Sequence, residues 1–297
     1  MDGSRAELII DYYNSRIKII NFTGNFENIS GILQIVAEIV KVGKIIVYAS
    51  LENIKELETC GYIEEGIISG YYAGKKDCHI LSSYLESSRG VSSNKEKEDQ
   101  ITKNCLTKVG IARRKPNKQD DHRKKESIGI RKEGIGFPKE YSIKPAVQAD
   151  ASLMAMLYRQ EFKFYPAPLH MESYLLKTMD SNVLYLLAEK QGKILSLASA
   201  EMDPINKCAE VTDCLTISSE RGRGLMKELI KALEKELSNR GFRSSYTLCR
   251  ASSSGINSAF ASLGYAYTGR LINNCKIGNG FEDMNIWCKM LKENRLE

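Results

Sequence analysis

Two carboxylates, Glu210 and Asp213, stand on a β-branched, mostly alternating run over 208–217 that leads to Arg221-Gly222-Arg223-Gly224. A carboxylate on such a strand can take a proton from an ammonium, and a strand followed by a glycine-containing turn and a helix start can hold an anion. Unpaired backbone N–H groups and the positive end of the helix dipole converge at that turn, and glycine lets a phosphate come close. The helix that must follow is visible in Leu225, Leu229, Leu233 and Leu237 at four-residue spacing. Gly241 sits where a C-cap glycine belongs. A charged loop capping any surface helix is the plainer reading of the same residues.

Neither G-x-x-x-x-G-K-[ST] nor G-x-G-x-x-G occurs at the turn, which sets aside the P-loop and the dinucleotide fingerprint. The turn instead resembles the acetyl-CoA pyrophosphate loop of the GNAT superfamily of N-acetyltransferases, [QR]-x-x-G-x-[GA]. It is read here as Arg221-x-x-Gly224-x-Met226, with methionine in the place of the final small residue. The resemblance implies acetyl-CoA as co-substrate, held by Arg221, Gly222, Arg223, Gly224, Leu225 and Met226. It also implies that the preceding strand, at Leu215, Thr216 and Ile217, splays from its neighbour, pairs with the pantetheine arm and offers a backbone N–H to the thioester carbonyl.

The elements around the turn divide the chain in two. Its 297 residues suffice for two cores, and the expected division is an N-terminal α/β domain over 1–89, a charged flexible linker over 90–138 and an acetyltransferase domain over 139–297. Between Lys95 and Glu133 there are 13 Lys and Arg against 7 Asp and Glu, so this interval carries the whole net charge of +6. It is polar and poor in aromatics, the composition of a solvated linker and not of a nucleic-acid face with stacking residues. Upstream, strands are expected over 17–22 and 44–48, helices over 29–42 and 52–58, and two strands with a turn between them around Gly61-Tyr62 and Gly70-Tyr71-Tyr72. Downstream, strands are expected over 141–144, 183–189, 193–201 and 245–249, and helices over 149–164 and 171–179, with Pro166 and Pro168 breaking the chain between the helices. That order is the GNAT arrangement, an α/β (α+β) fold over roughly the last 155 residues. Gly61-Tyr62-x-x-x-Gly66 has the shape of Gly264-Tyr265-x-x-x-Gly269, each after a short helix. Chance accounts for such an echo at least as well as duplication; under duplication the N-terminal unit is a degenerate acetyltransferase-like lobe that packs against or shapes the site without binding cofactor.

Amine acetylation needs a base and a polarised carbonyl, and the departing thiolate benefits from a proton donor. Glu210, eleven residues ahead of Arg221, is the first choice of base and Asp213 the second; on a regular strand the two point to opposite faces. Phe260 occupies the slot where many GNAT enzymes carry a tyrosine, which leaves Tyr246, Tyr265, Tyr267 or water as donor. Glu210-Val211-Thr212-Asp213, Tyr246 to Ala251, Asn273-Asn274, Met284 to Trp287 and Tyr165-Pro166-Ala167-Pro168 together resemble the β-lysine ε-N-acetyltransferase family. Here Cys214-Leu215 departs from the Phe-Ala more usual in that family after Thr-Asp. This resemblance implies acetylation of the side-chain amine of β-lysine, 3,6-diaminohexanoate, to a compatible solute. Such a substrate carries two ammonium groups and a carboxylate, and its pocket should offer carboxylates and an Arg or amide cluster. Glu161 and Glu201 are candidates beside Glu210 and Asp213 for the amines; Arg250, Asn273, Asn274 and Asn285 are candidates for the carboxylate or the β-amine.

The remaining residues mostly exclude. Eight scattered cysteines lack a C-x-x-C pair or a His at ligand spacing, so reduced core thiols in a cytoplasm are expected and no metal. No apolar run reaches spanning length. A small-molecule partner is expected, with no nucleic acid and no membrane; oligomeric state is open. Other readings are acetylation of another amine such as lysine or a polyamine, a silent acyl-CoA sensor, and a nucleic-acid partner working through the basic linker.

Overall fold

The computed structural model describes residues 3–113 and 140–292. The first half runs β1 (Arg5–Asp11), β2 (Arg16–Thr23), α1 (Phe26–Val40), β3 (Lys44–Ala49), α2 (Ile54–Thr59), β4 (Ile63–Tyr72) and β5 (Lys76–Tyr84), and α3 (Lys95–Arg113) leads out of it. The second half runs β6 (Ser142–Pro145), α4 (Ala151–Glu161), α5 (Glu172–Met179), β7 (Val183–Lys190), β8 (Lys193–Asp203), β9 (Cys208–Thr216), α6 (Leu225–Asn239), β10 (Ser244–Arg250), α7 (Ser254–Ser262), β11 (Ala266–Ile277) and β12 (Gly280–Met290). All the strands form one sheet in the order β1-β2-β3-β5-β4-β11-β12-β10-β9-β8-β7-β6. No helix among the described residues is long and apolar enough to cross a membrane.

That order contains a repeat. β8-β9-β10-β12-β11 is matched by β1-β2-β3-β5-β4, and in each set the first pair is antiparallel, the second parallel and the last two antiparallel. The Gly-Tyr echo falls at matching places. Gly61 and Gly264 end α2 and α7 with φ of 82° and 86°, and Tyr62 and Tyr265 each return a backbone bond to the helix, to Leu57 O and Phe260 O. Gly66 and Gly269 then pair with each other where β4 meets β11. The first half is therefore a shorter copy of the second, joined edge to edge.

The strands carry cores on both faces. α6 buries Leu225, Leu229, Ile230, Leu233 and Leu237 against the sheet, and α4, α5 and the segment between them bury Met154, Tyr158, Leu175 and Leu169 on the opposite side. In the first half, α1 lays Phe26, Ile29, Leu33 and Ala37 on Ile17, Ile19, Ile45 and Val47. Its start is fixed by Asn25, whose side chain accepts from Asn28 N–H.

The linker expectation is corrected at its beginning; residues 114–138 lie outside the described residues. α3 occupies Lys95–Arg113 and packs Ile101, Cys105 and Val109, a four-residue stripe, onto the α7 core. Glu98 is buried on the same helix, and Asp99 takes a bond from Arg270 Nη1 at 2.8 Å. The turn expected between Gly66 and Gly70 is absent because the strand continues as β4.

The halves are bonded through the middle of β11, where it leaves β12 between Leu271 and Cys275. Its backbone groups there find partners in the first half. Ile272 N–H donates to Glu65 and Lys44 Nζ donates to Ile272 O at 2.7 Å, Lys44 and Glu65 being themselves an ion pair at 2.7 Å. Arg89 donates to Asn273 O, Arg16 to Asn274 O, and Lys276 N–H to the Asn14 side chain. Buried backbone groups without such partners would be costly, so the N-terminal lobe completes this strand.

Candidate active site

Cys208, Ala209 and Glu210 pair in parallel with Ser244, Ser245 and Tyr246, and beyond that pairing β9 and β10 part. The other edge of β9 stays on β8 with one interruption. Leu197 pairs with Leu215 and Ser199 with Thr212, so Asp213 and Cys214 stand opposite the single Ala198. This is a β-bulge, and Asp213 takes a left-handed φ of 51° in it. The extra residue resets the alternation that would turn Glu210 and Asp213 to opposite faces. Both line one cavity of about 490 Å³ at the splay.

Their surroundings differ. Asp213 is held by Tyr165 Oη at 2.9 Å and Ser199 Oγ at 2.8 Å, and Tyr158 Oη donates to its backbone carbonyl at 2.9 Å. Burial, with Glu201 adding, pushes its carboxyl up to about 7 against those two donors. Asp213 thus anchors the bulge and ties it to the proline-containing segment that carries Tyr165. Glu210 faces Glu201 across β8 and Tyr246 across β10. Burial pushes Glu210 up to about 8, and the Glu201 charge adds to this, while Lys18 and the Tyr246 hydroxyl favour its ionised form. Glu201 is at the solvent-open mouth, and crowding by protein raises it as well, opposed by Lys18. A carboxylate so poised can hold or release a proton near neutrality.

The turn before α6 has the geometry its glycines imply. Gly222 and Gly224 have φ of 79° and 87°, and Gly224 is the N-cap of α6. A Cβ on either would meet nothing within 4 Å, so glycine is required by conformation and the space above the loop is open. Arg221 N–H reaches Ser218 O at 3.5 Å and the first bond into the helix is Glu228 N–H to Gly224 O, which leaves the N–H groups from Gly222 to Lys227 without backbone acceptors among the described residues. Arg223 bonds the Tyr141 hydroxyl and pairs with Glu220 at 3.3 Å. Leu225 is buried against Tyr141 and Leu195, and Met226 is half-buried against the core beneath α6.

The equivalent helix of the first half is closed. At the start of α1, Glu56 accepts from Phe26 N–H at 2.6 Å and Ser4 Oγ from Asn25 N–H at 2.9 Å. A Cβ on Gly24 would strike Ser4 Cα at 2.7 Å. The protein's own oxygens take the N–H groups at that helix start.

Of the expected carbonyl donors, Ile217 N–H is taken by Leu195 O. Alternation then turns Thr216 N–H away from β8 towards the splay, and Leu215 faces the core with its side chain. Several expected substrate contacts are corrected. Glu161 lies under the anion turn and not in the cavity: it accepts from Ser218 N–H and Oγ and pairs with Arg221 at 2.6 Å, and Arg221 Nε also bonds Thr216 O. Asn273 takes φ 46° and caps the turn at Ser87–Gly90, donating to Ser88, Arg89 and Val91 carbonyls. Asn285 is buried, bonded to Arg270, Thr102 and Asn257. Arg250 reaches the cavity wall but is held in a bidentate pair by Glu282 at 2.6 and 2.8 Å. Glu201 and Asn274 do line the cavity. Phe260 is fully buried against Tyr265, whose hydroxyl is shared with Ser245; Tyr267 packs on Trp287.

Sequence reading missed a whole wall. Asp11, Asn14, Arg16, Lys18 and Tyr48, all from the first half, line the same cavity. The available signal was the alternation Arg16-Ile17-Lys18-Ile19, cations on one face of β2 and core residues on the other.

The Acetyltransferase (GNAT) family model matches residues 153–265. Among curated proteins, the chain is 65% identical over 271 residues to Beta-lysine N(6)-acetyltransferase of Methanosarcina mazei, covering 91% of this chain and 100% of that protein. It is 37% identical to the protein of the same name from Methanococcus maripaludis, over 80% of this chain and 79% of that one. It is 34% identical to N-acetyltransferase YodP of Bacillus subtilis, over 97% of both. A solved structure, the ribosomal-protein-S18-alanine N-acetyltransferase from Escherichia coli, is similar with a TM-score of 0.46 and 18% identity, covering 53% of this chain and 99% of that one. With a parted β9 and β10, an open glycine turn at the head of α6, and relatives of this identity and coverage, the chain belongs to the β-lysine N(6)-acetyltransferase family of GNAT acetyltransferases.

Proposed function

We propose that this enzyme transfers the acetyl group of acetyl-CoA to the side-chain amine of β-lysine, giving Nε-acetyl-β-lysine by direct attack in a ternary complex. The observation that carries this reading is the single cavity in which Glu210 and Glu201, two facing carboxylates, lie at the splay of β9 and β10. It accords with the relatives named for that reaction. The open turn from Gly222 to the first turn of α6 fits a diphosphate, and the parted strands leave a slot for a thioester arm. Glu210 takes the proton from the acceptor ammonium. Thr216 N–H is the backbone donor for the carbonyl oxygen as charge develops on it. The amine nitrogen bonds to the acetyl carbon as the carbon–sulfur bond breaks. Among the described residues no histidine lines the cavity beside Cys214, Cys249 or Cys275, the arrangement an acetyl-enzyme would call for.

Purified protein mixed with acetyl-CoA and a panel of amines, with released thiol as the signal, tests the reading. Turnover confined to β-lysine is expected. Turnover favouring lysine or polyamines, or acetyl-CoA binding without turnover, overturns it. Gly224→Ala tests the anion turn separately. The new Cβ has room but the left-handed backbone costs an L-residue about 1–2 kcal/mol, so acetyl-CoA should bind about tenfold more weakly while β-lysine affinity is kept. Equal acetyl-CoA affinity in titration calorimetry would remove the phosphates from this loop.

A further inference from the structure

The duplicated strand order sets residues of the two lobes in correspondence. β2 pairs in parallel with β3 through Arg16 and Lys44, Ile17 and Ile45, Lys18 and Ile46. β9 pairs in parallel with β10 through Cys208 and Ser244, Ala209 and Ser245, Glu210 and Tyr246. Counting along the two ladders from their first pairs, Lys18 occupies in the first lobe the position that Glu210 occupies in the second. On the neighbouring strands Ile9 faces Lys18 as Glu201 faces Glu210. The two equivalent positions line one cavity. The second lobe presents the facing carboxylates Glu201 and Glu210 to it, and the first presents Lys18 and Arg16, the latter paired with Asp11.

The cations are disposed to receive something. Lys18 is half-buried and forms no ion pair or hydrogen bond among the described residues, although its charge is felt at both Glu201 and Glu210. Arg16 is 8% exposed. Its Nε pairs with Asp11 at 2.9 Å and its Nη1 bonds Asn274 O, leaving Nη2 without an acceptor among the described residues. Asn274, 1% exposed and also on the cavity wall, has a side-chain oxygen with no partner. By contrast, the Arg250 fork is already filled by Glu282.

We propose that the N-terminal lobe carries the carboxylate subsite of the acceptor: Lys18, with the open edge of Arg16 beside it, receives the acceptor's carboxylate while Glu210 and Glu201 face its ammonium groups. This rests on the acceptor being a diamino acid. It makes Lys18 a specificity residue that separates a diamino acid from a diamine, and it gives the lobe without an anion turn a task in recognition. Direct contact with a carboxylate is strong because both partners are charged and partly desolvated. A lysine that merely tuned the base would treat every amine alike.

The test compares β-lysine with 1,4-diaminopentane, the same skeleton without its carboxyl group, in wild type, Lys18→Met and Lys18→Arg. Rates are taken on the alkaline plateau so that a change in the base's protonation cancels. Wild type should prefer β-lysine in kcat/KM. Lys18→Met should lower the preference for β-lysine over 1,4-diaminopentane about 10–100-fold, mostly through KM for β-lysine. Lys18→Arg should retain most of the preference. Turnover of 1,4-diaminopentane by the methionine variant also reports that it is folded. A methionine variant that loses both substrates equally, or keeps the wild-type ratio, overturns the subsite. Wild type that acetylates neither compound but does acetylate another amine instead overturns the diamino-acid reading, and the subsite with it.

Discussion

Glu210→Gln should lower kcat by roughly 10²–10⁴-fold with acetyl-CoA affinity unchanged, the signature of losing a general base and not a binding contact. The expectation follows from where the residue stands. Glu210 lies at the last paired position before β9 and β10 part, facing Glu201 on one side and Tyr246 on the other. Glutamine keeps the shape and the hydrogen-bonding edge, so a small effect on kcat would mean that another group or water takes the proton. Asp213 is not an equivalent alternative in this arrangement, because its two carboxylate oxygens are already held by Tyr165 and Ser199.

The pH profile gives the same residue a second signature. With Glu210 pushed up to about 8, kcat/KM should rise through mildly alkaline pH as the base loses its proton. The Glu201 charge is one cause of that elevation, so Glu201→Gln should let Glu210 ionise more readily and move the rising limb to lower pH. Lys18 acts with the opposite sign, and Lys18→Met should move the limb to higher pH. The limb belongs to the facing pair and not to either carboxylate alone. Opposite displacements by the two variants are the informative result; displacement of both in one direction would mean that the limb reports some other group, such as the amine itself.

What could be read from the sequence was what local chemistry determines. Arg221 to Gly224, the leucine stripe of α6 and Glu210 are all specified within a few turns of chain, by glycine's conformational range, helical spacing and strand alternation. Asp213 was nameable but its direction was not. The bulge that turns it into the cavity depends on how many β8 residues lie opposite, a fact about pairing between strands. α3 escaped notice because the charges around Ile101, Cys105 and Val109 mask a stripe that makes sense only once α7 lies beneath it. Glu161 and Asn273 show the converse: polar residues of suitable type near the site, employed in holding the loop and a turn. The cationic wall was hidden for a further reason. Arg16 and Lys18 are nearly two hundred residues from the acids they face, and only the joining of the two lobes brings them together.

That joining makes the second large prediction. Gly66 and Gly269 are the same position in two copies of one lobe, meeting across the β4–β11 junction. A side chain on either points at the backbone of its counterpart. A Cβ on Gly66 would stand 2.8 Å from Gly269 Cα, 2.8 Å from Ile286 Cδ1 and 3.0 Å from Thr268 O. The backbone and a core isoleucine of β12 have little freedom to give way, so Gly66→Val should cost about 1–3 kcal/mol or more and lower Tm by several degrees. Gly31→Ala, in an open position on α1 with ordinary backbone, should instead be neutral or stabilise by about 0.4–1 kcal/mol. The functional consequence distinguishes a local clash from a parted junction. The cavity has one wall on each lobe, so spreading β4 from β11 moves Lys18 relative to Glu210 while leaving the anion turn of α6 intact. Gly66→Val should therefore raise KM for β-lysine more than that for acetyl-CoA at a temperature where the protein remains folded. Equal change in both constants would mean that the junction holds the fold together without setting the width of the site.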